Sequence, residues 1–203
     1  MNIKSENNLT DQQLVKKITS GDTNAFSIVI NQTERLVAQI IYKMVQDAED
    51  RKDVAQEVYL KAFNALSGFN FHSKLSTWIA QITYNTCLNY LRKKRVELIP
   101  DFEDIQHQEM TMEYLAHKVT DSAVNAVEES INQRELAGIL SEEIEKLPPL
   151  YKTLITLFHN EGMSYSEIGE ITALPEGTLK NYLYRARKSM KESILRKYNR
   201  EAL

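Results

Sequence analysis

The sequence predicts an all-α protein: two small helical domains joined by an acidic linker, the second domain a helix-turn-helix. Three observations predict it. Apolar residues recur at three- and four-residue intervals over long stretches, the period of one buried helical face. Glycine and proline, the residues that most disturb helices, number only 6 and 4 among 203. Charge is segregated into a mixed first part, an acidic middle and a basic end, although the net charge is only −3. Distribution matters more than the sum here, because phosphate attraction acts within a Debye length of about 8–10 Å.

The first domain is expected over residues 1–95. Thr10 with Gln13 has capping-box spacing and opens a short helix. Gly21-Asp22 breaks it, and Asp22 can cap a long second helix carrying Phe26, Val29, Ile30, Leu36, Val37, Ile40 and Ile41. A third helix, about 50–66, places Val54, Val58, Ala62 and Ala65 on one stripe. Residues 67–74 read as a loop, and a fourth helix runs from Leu75 into Arg92-Lys93-Lys94-Arg95. The middle, 96–135, sets Glu97, Asp101, Glu103, Asp104, Glu109, Glu113, Asp121, Glu128 and Glu129 against Lys118 and Arg134. Its apolar residues are thinly spaced, so it reads as a solvated acidic linker with at most one helix.

The last domain is expected over residues 136–203. Its first helix ends at Leu147-Pro148-Pro149, where proline forbids continuation. A second carries Leu150, Leu154, Ile155 and Phe158 and stops at Gly162. Ser164 and Glu167 form a capping box that opens a short helix to about Ala173. Leu174-Pro175-Glu176-Gly177 turns the chain, and the last helix runs from about Thr178 to beyond Leu195.

Composition narrows the function classes. Hydrophobic residues at 42% and charged residues at 26% are the balance of a globular protein. No apolar run approaches the roughly 20 residues that span a bilayer, and residues 1–6 lack the apolar core of a signal peptide. A cytoplasmic protein without membrane insertion is expected. Cys87 is the sole cysteine, so no internal disulfide or multi-cysteine zinc site can form; a small buried hydrophobe is its expected role. His107, His117 and His159 have no ligand spacing, and there is no phosphate loop or nucleophile triad. Neither a metal, a cofactor, a small-molecule substrate nor an enzymatic activity is expected.

The end of the chain carries the first functional signal. A short capped helix, a tight turn and a longer basic helix are the parts of a helix-turn-helix. On the last helix Leu179, Leu183, Ala186 and Met190 would bury one face against Ile168 and Ile171. Eight cations, Lys180, Arg185, Arg187, Lys188, Lys191, Arg196, Lys197 and Arg200, stand against Glu192 alone, a local excess of about seven positive charges. Such a helix fits the major groove, where Arg and Lys donate to guanine and Asn pairs with adenine. Thr178, Lys180 and Asn181 are candidate base readers, with Tyr184, Arg185, Arg187 and Lys188 reaching bases or phosphates. A conventional helix-turn-helix regulator would carry the same motif, and the first domain must decide between them.

That domain contains Asp53-Val54-Ala55-Gln56-Glu57-Val58-Tyr59-Leu60-Lys61-Ala62-Phe63, then Phe69-Asn70-Phe71-His72-Ser73-Lys74-Leu75-Ser76-Thr77-Trp78-Ile79, then Asn85-Thr86 and Asn89-Tyr90-Leu91-Arg92-Lys93-Lys94-Arg95. The series resembles region 2 of the extracytoplasmic-function sigma factors. Residues 174–187, LPEGTLKNYLYRAR, are similar to their region 4, in the expected order and spacing. The resemblance implies a subunit that binds core RNA polymerase through its clamp coiled coil and flap, selects promoter DNA and assists its melting. It places Asp53, Gln56 and Glu57 on the polymerase-binding helix, although an acidic first turn would also explain Asp53. It makes 69–75 the loop that captures a flipped base of the −10 element, with Phe71, His72, Ser73 and Lys74 offering aromatic, polar and cationic groups. Phe71 and His72 stand where many relatives carry glycine and then an acidic residue. Asn85 and Asn89, one turn apart, would meet bases or backbone near the melted strand, and Arg92, Lys93, Lys94 and Arg95 would hold phosphates; a charge run complementing the helix dipole is the plainer account of the last four. For Trp78 a core position is expected. Thr178, Lys180, Asn181, Tyr184, Arg185, Arg187 and Lys188 would read the −35 element. The resemblance further implies an anti-sigma partner and a connector that threads the polymerase channel later taken by RNA.

Overall fold

A computed structural model describes residues 9–98 and 133–201, with side chains over 9–94 and 136–197. The acidic linker expected over 96–135 therefore lies almost wholly outside the described residues, as does the side chain of Arg95. The chain divides into two compact units. Among the described residues there are helices and turns and no strand.

In the first unit α1 (Asp11–Thr19) opens on the expected capping box: Thr10 accepts from the Gln13 amide and the Gln13 side chain accepts from the Thr10 amide. Asp22 caps a short 3-10 turn, Thr23–Ala25, that leads directly into α2 (Phe26–Met44). α3 (Ala48–Ala65) begins earlier than its apolar pattern suggested, because Asp47 accepts from the amides of Glu49 and Asp50. Arg51 then closes the end of α2, donating to the carbonyls of Val45 and Gln46 while lying 4.3 Å over the Tyr42 ring. A 3-10 turn, Leu66–Gly68, starts the loop before α4 (Leu75–Leu98).

Helices α2, α3 and α4 pack on one another, and α1 lies against α2 and the Leu66–Gly68 turn. The core takes Leu14, Val15 and Ile18 from α1, Val29, Val37, Ile40 and Ile41 from α2, and Val54, Val58 and Ala62 from α3. Ala65 is exposed, so the α3 stripe stops a turn short of expectation, and Ile30 is only half-buried. α4 contributes Ile79, Ala80, Tyr84 and Cys87.

In the second unit α5 (Gln133–Lys146) stops before Pro148, and Pro149 opens α6 (Pro149–Ile155). The chain then widens into a π-turn, Thr156–Asn160, with the Glu161 amide reaching back to the Thr156 carbonyl, and Gly162 at φ +64° ends it. The apolar periodicity predicts regular helix as far as Gly162, and the π-turn departs from it. α7 (Tyr165–Thr172) carries the expected box between Ser164 and Glu167.

The turn before α8 (Glu176–Glu201) also differs. Its left-handed residue is Ala173, at φ +58°, and Gly177 sits inside the first turn of α8. The Pro175 carbonyl already accepts from the Leu179 amide, so the helix starts two residues before Thr178. α8 packs against α6 and α5, burying Leu179, Leu183, Ala186 and Met190 as its spacing required.

Candidate nucleic-acid interface

The loop of the first unit is shaped by its own residues. Phe69 is buried and its amide donates to the Leu66 carbonyl. The Asn70 side chain accepts from the His72 amide, forcing a tight bend. Phe71 takes φ +60°, an outlier for a bulky residue, and the residue is 41% exposed. Ring centroids lie 4.8 Å apart for Phe71 and Phe69, and 5.2 Å for Phe69 and Trp78. Trp78 is half-buried, so it is no plain core residue but the far end of an aromatic row that rises to the surface at Phe71. His72 and Lys74 are exposed and Ser73 is half-buried.

On α4, Asn85, Asn89, Arg92 and Lys93 are all exposed. At about 100° per residue they fall on one side of the helix. Lys94 falls about opposite Asn85 by the same count, and its ammonium is held by Asp50 at 3.0 Å and the Tyr90 hydroxyl at 2.8 Å. Tyr90 in turn donates to Asp50. Those bonds to Tyr90 and Asp50 push the Lys94 ammonium above its ordinary value, and the same Tyr90 and Lys94 contacts lower the Asp50 carboxyl. Lys94, expected beside Arg92 and Lys93 as a phosphate holder, is exposed like them, but its ammonium bridges α3 and α4 through Asp50 and Tyr90.

On α3, Asp53, Gln56 and Glu57 are exposed opposite the buried Val54, Val58 and Ala62. Asp53 lies in the second turn, beyond the Asp47 cap, so the helix-start explanation does not hold for it. Leu60 shares their face and is 62% exposed. Sequence reading passed over Leu60, although an apolar residue four after Gln56 and three after Glu57 was the available signal.

In the second unit α8 presents Asn181, Tyr184, Arg185 and Lys188 away from its buried side, Tyr184 being 63% exposed. Thr178 is half-buried at the helix start. Lys180 and Arg187 flank this face, each over an aromatic ring from the preceding segment. Lys180 pairs with Glu176 at 2.6 Å and lies 5.4 Å from the Tyr165 centroid. Arg187 is 5.3 Å from the Phe158 centroid, and its Nε donates to His159 Nε2 at 3.3 Å. Burial, and then the Arg187 charge, lowers the His159 pKa, which favours the neutral acceptor this bond needs. Glu192, the one acid of the basic stretch, is 7% exposed beside Lys188 at 4.0 Å and Arg196 at 3.9 Å. His159, Phe158 and Tyr165 were not foreseen; the π-turn that carries the first two leaves no mark in the apolar pattern.

Two conserved-domain descriptions match the chain: sigma-70 region 2 over residues 29–97 and sigma-70 region 4 over 137–190. The sigma-E factor of Haemophilus influenzae is 33% identical over 186 residues, 92% of this chain and 96% of that one. The chain belongs to the extracytoplasmic-function sigma factors. The sigma-H factor of Pseudomonas aeruginosa is 30% identical across 91% of this sigma factor and 93% of its own length. SigW of Bacillus subtilis is 29% identical across 89% and 94%. Among solved structures, CnrH in complex with the cytosolic domain of CnrY superposes with a TM-score of 0.58 at 20% identity, covering 91% of this sigma factor and 96% of that chain. RpoE of Bartonella quintana with the anti-sigma factor NepR gives 0.57 at 19%, covering 82% and 94%. These two share the fold. As a sigma factor, the protein directs RNA polymerase in transcription initiation. No helix among the described residues is long and apolar enough to cross a membrane.

Proposed function

We propose that the two units divide promoter recognition by residue as follows. Residues 1–95 bind core polymerase and the −10 element, 96–135 connect, and 136–203 bind the −35 element. Asp53, Gln56, Glu57 and Leu60 form the face that docks on the clamp coiled coil, a polar ring around one exposed apolar anchor. Phe71, His72, Ser73 and Lys74 hold an unstacked base, and Asn85, Asn89, Arg92, Lys93 and Arg95 follow the separated strand. Thr178, Lys180, Asn181, Tyr184, Arg185, Arg187 and Lys188 enter the major groove, while the rest of the second unit meets the flap. The protein works in the cytoplasm, performs no chemistry itself, and is held in check by an anti-sigma factor, as RpoE of Bartonella quintana, a protein of this fold, is seen bound to the anti-sigma factor NepR.

The observation that carries the reading is the α8 surface. Leu179, Leu183, Ala186 and Met190 are sealed in the core, and six of the seven candidate readers stand exposed on the remainder. The test is transcription from fragmented genomic DNA of the source bacterium, with core polymerase and with or without this protein. Discrete start sites that require the protein are expected, and the upstream sequences align into two elements. Absence of a complex with core would reject the reading in favour of a conventional regulator.

A further inference from the structure

Asp11 makes a long-range hydrogen bond to the start of α4. Its Oδ2 accepts from the backbone amide of Leu75 at 2.8 Å, 64 residues away. Asp11 is not needed to cap its own helix, because Thr10 and Gln13 already close the start of α1 on each other. Its carboxylate is thus available to α4. There Leu75 is the first helical residue, the Lys74 carbonyl having accepted from the Trp78 amide, and the Leu75 amide has no partner within its own helix. A carboxylate on such an amide makes a charge-assisted bond that the helix dipole strengthens.

The bond fixes one end of the loop at 69–74. The other end is fixed by the Leu66–Gly68 turn, and α1 packs on that turn as well. One short helix therefore holds both ends of the segment that carries Phe71 and His72. Residue 11 lies outside the matched span 29–97, so nothing in that match accounts for it.

We infer that α1 is a positioning element for base capture, with Asp11 acting through Leu75 to hold the loop in its binding shape. The inference rests on the reading of that loop as the −10 contact. An unsupported loop would sample other conformations, and the ordering cost would fall on DNA binding. Asp11 touches no DNA in this account; it is a positioning residue.

The test uses holoenzyme assembled from core polymerase and the full chain. One probe is a fork DNA carrying the protein's own promoter elements, single-stranded across the −10 region. The second is a duplex carrying the −35 element alone. Asp11→Ala is expected to weaken fork binding about tenfold, the worth of one charge-assisted bond. Affinities for core and for the −35 duplex stay unchanged. Asp11→Asn, whose side-chain oxygen still accepts, restores most of the loss. Asp11→Ala combined with Phe71→Ala is no worse than Phe71→Ala alone, because a mispositioned loop and an emptied loop lose the same contact. If Phe71→Ala weakens the fork and Asp11→Ala does not, the positioning role is overturned and the loop reading survives. If Phe71→Ala has no effect, the loop reading fails and takes this inference with it. Equal losses on fork, −35 duplex and core would reduce Asp11 to a folding role and overturn the inference too.

Discussion

His159 and Cys87 show how burial sets what a single side chain can do. The imidazole of His159 is held below its ordinary pKa of about 6.5, so the folded protein resists its protonation while the unfolded chain does not. That contribution to stability is fully present above about pH 6.5 and is lost as pH falls through the lower folded value. The thermal midpoint is therefore expected to drop between pH 7.5 and 5.5 by more in the wild type than in His159→Gln; equal drops would show that the burial of His159 and its contact with Arg187 leave no mark on stability. Cys87 is fully buried and its thiol is pushed up to about 12, so the thiolate that alkylating reagents need is suppressed. Iodoacetamide should label it at the rate of global unfolding, and labelling within minutes in native buffer would contradict the buried placement. Burial at Cys87 was expected from its residue type, a small hydrophobe in a chain with no second cysteine, whereas the Arg187–His159 bond joins residues 28 apart that no local spacing relates.

At the scale of the element, the two capping boxes were the best-read features. The boxes at Thr10–Gln13 and Ser164–Glu167 are short-range chemistry and fold as their residues dictate. Ser164→Ala should cost about 1 kcal/mol in urea unfolding, and no change would mean that α7 is held by packing alone. Features decided by distant partners were not legible. The left-handed turn falls on Ala173 and not Gly177, the start of α4 is capped from α1, and Lys94 is turned to Asp50 by its place around α4. Leu60 is a different case, since the stripe of Val54, Val58 and Ala62 already marks in sequence which side of α3 is left outside. Leu60→Asp should weaken core binding by about tenfold or more while leaving the thermal midpoint within about 2 °C. A fall in both together would mean that Leu60 is structural.

For the whole molecule, a net charge of −3 conceals two opposed parts, and the basic one determines the salt response. Binding of a −35 duplex by holoenzyme should weaken linearly in log affinity against log salt, with about one unit of slope lost for each phosphate contact removed. Arg185→Ala and Lys188→Ala are expected to flatten that slope or to relax sequence preference, which separates phosphate from base contacts. Lys94→Ala should do neither, because its ammonium is already committed to Asp50 and Tyr90. The two-domain order was legible because each domain has its own apolar period. The acidic stretch between them has none, and its part is left to experiment: neutralising Asp101, Glu103 and Asp104 should change the ratio of abortive to full-length transcripts.

Phe71 holds a backbone angle that glycine would adopt freely. Replacing it should relieve about 1–3 kcal/mol of strain, set against the lost contact with Phe69. Two selections from one library at position 71 would then diverge. Survival after heating would enrich glycine, and growth dependent on the regulon would retain an aromatic ring, so the same codon would record two different histories.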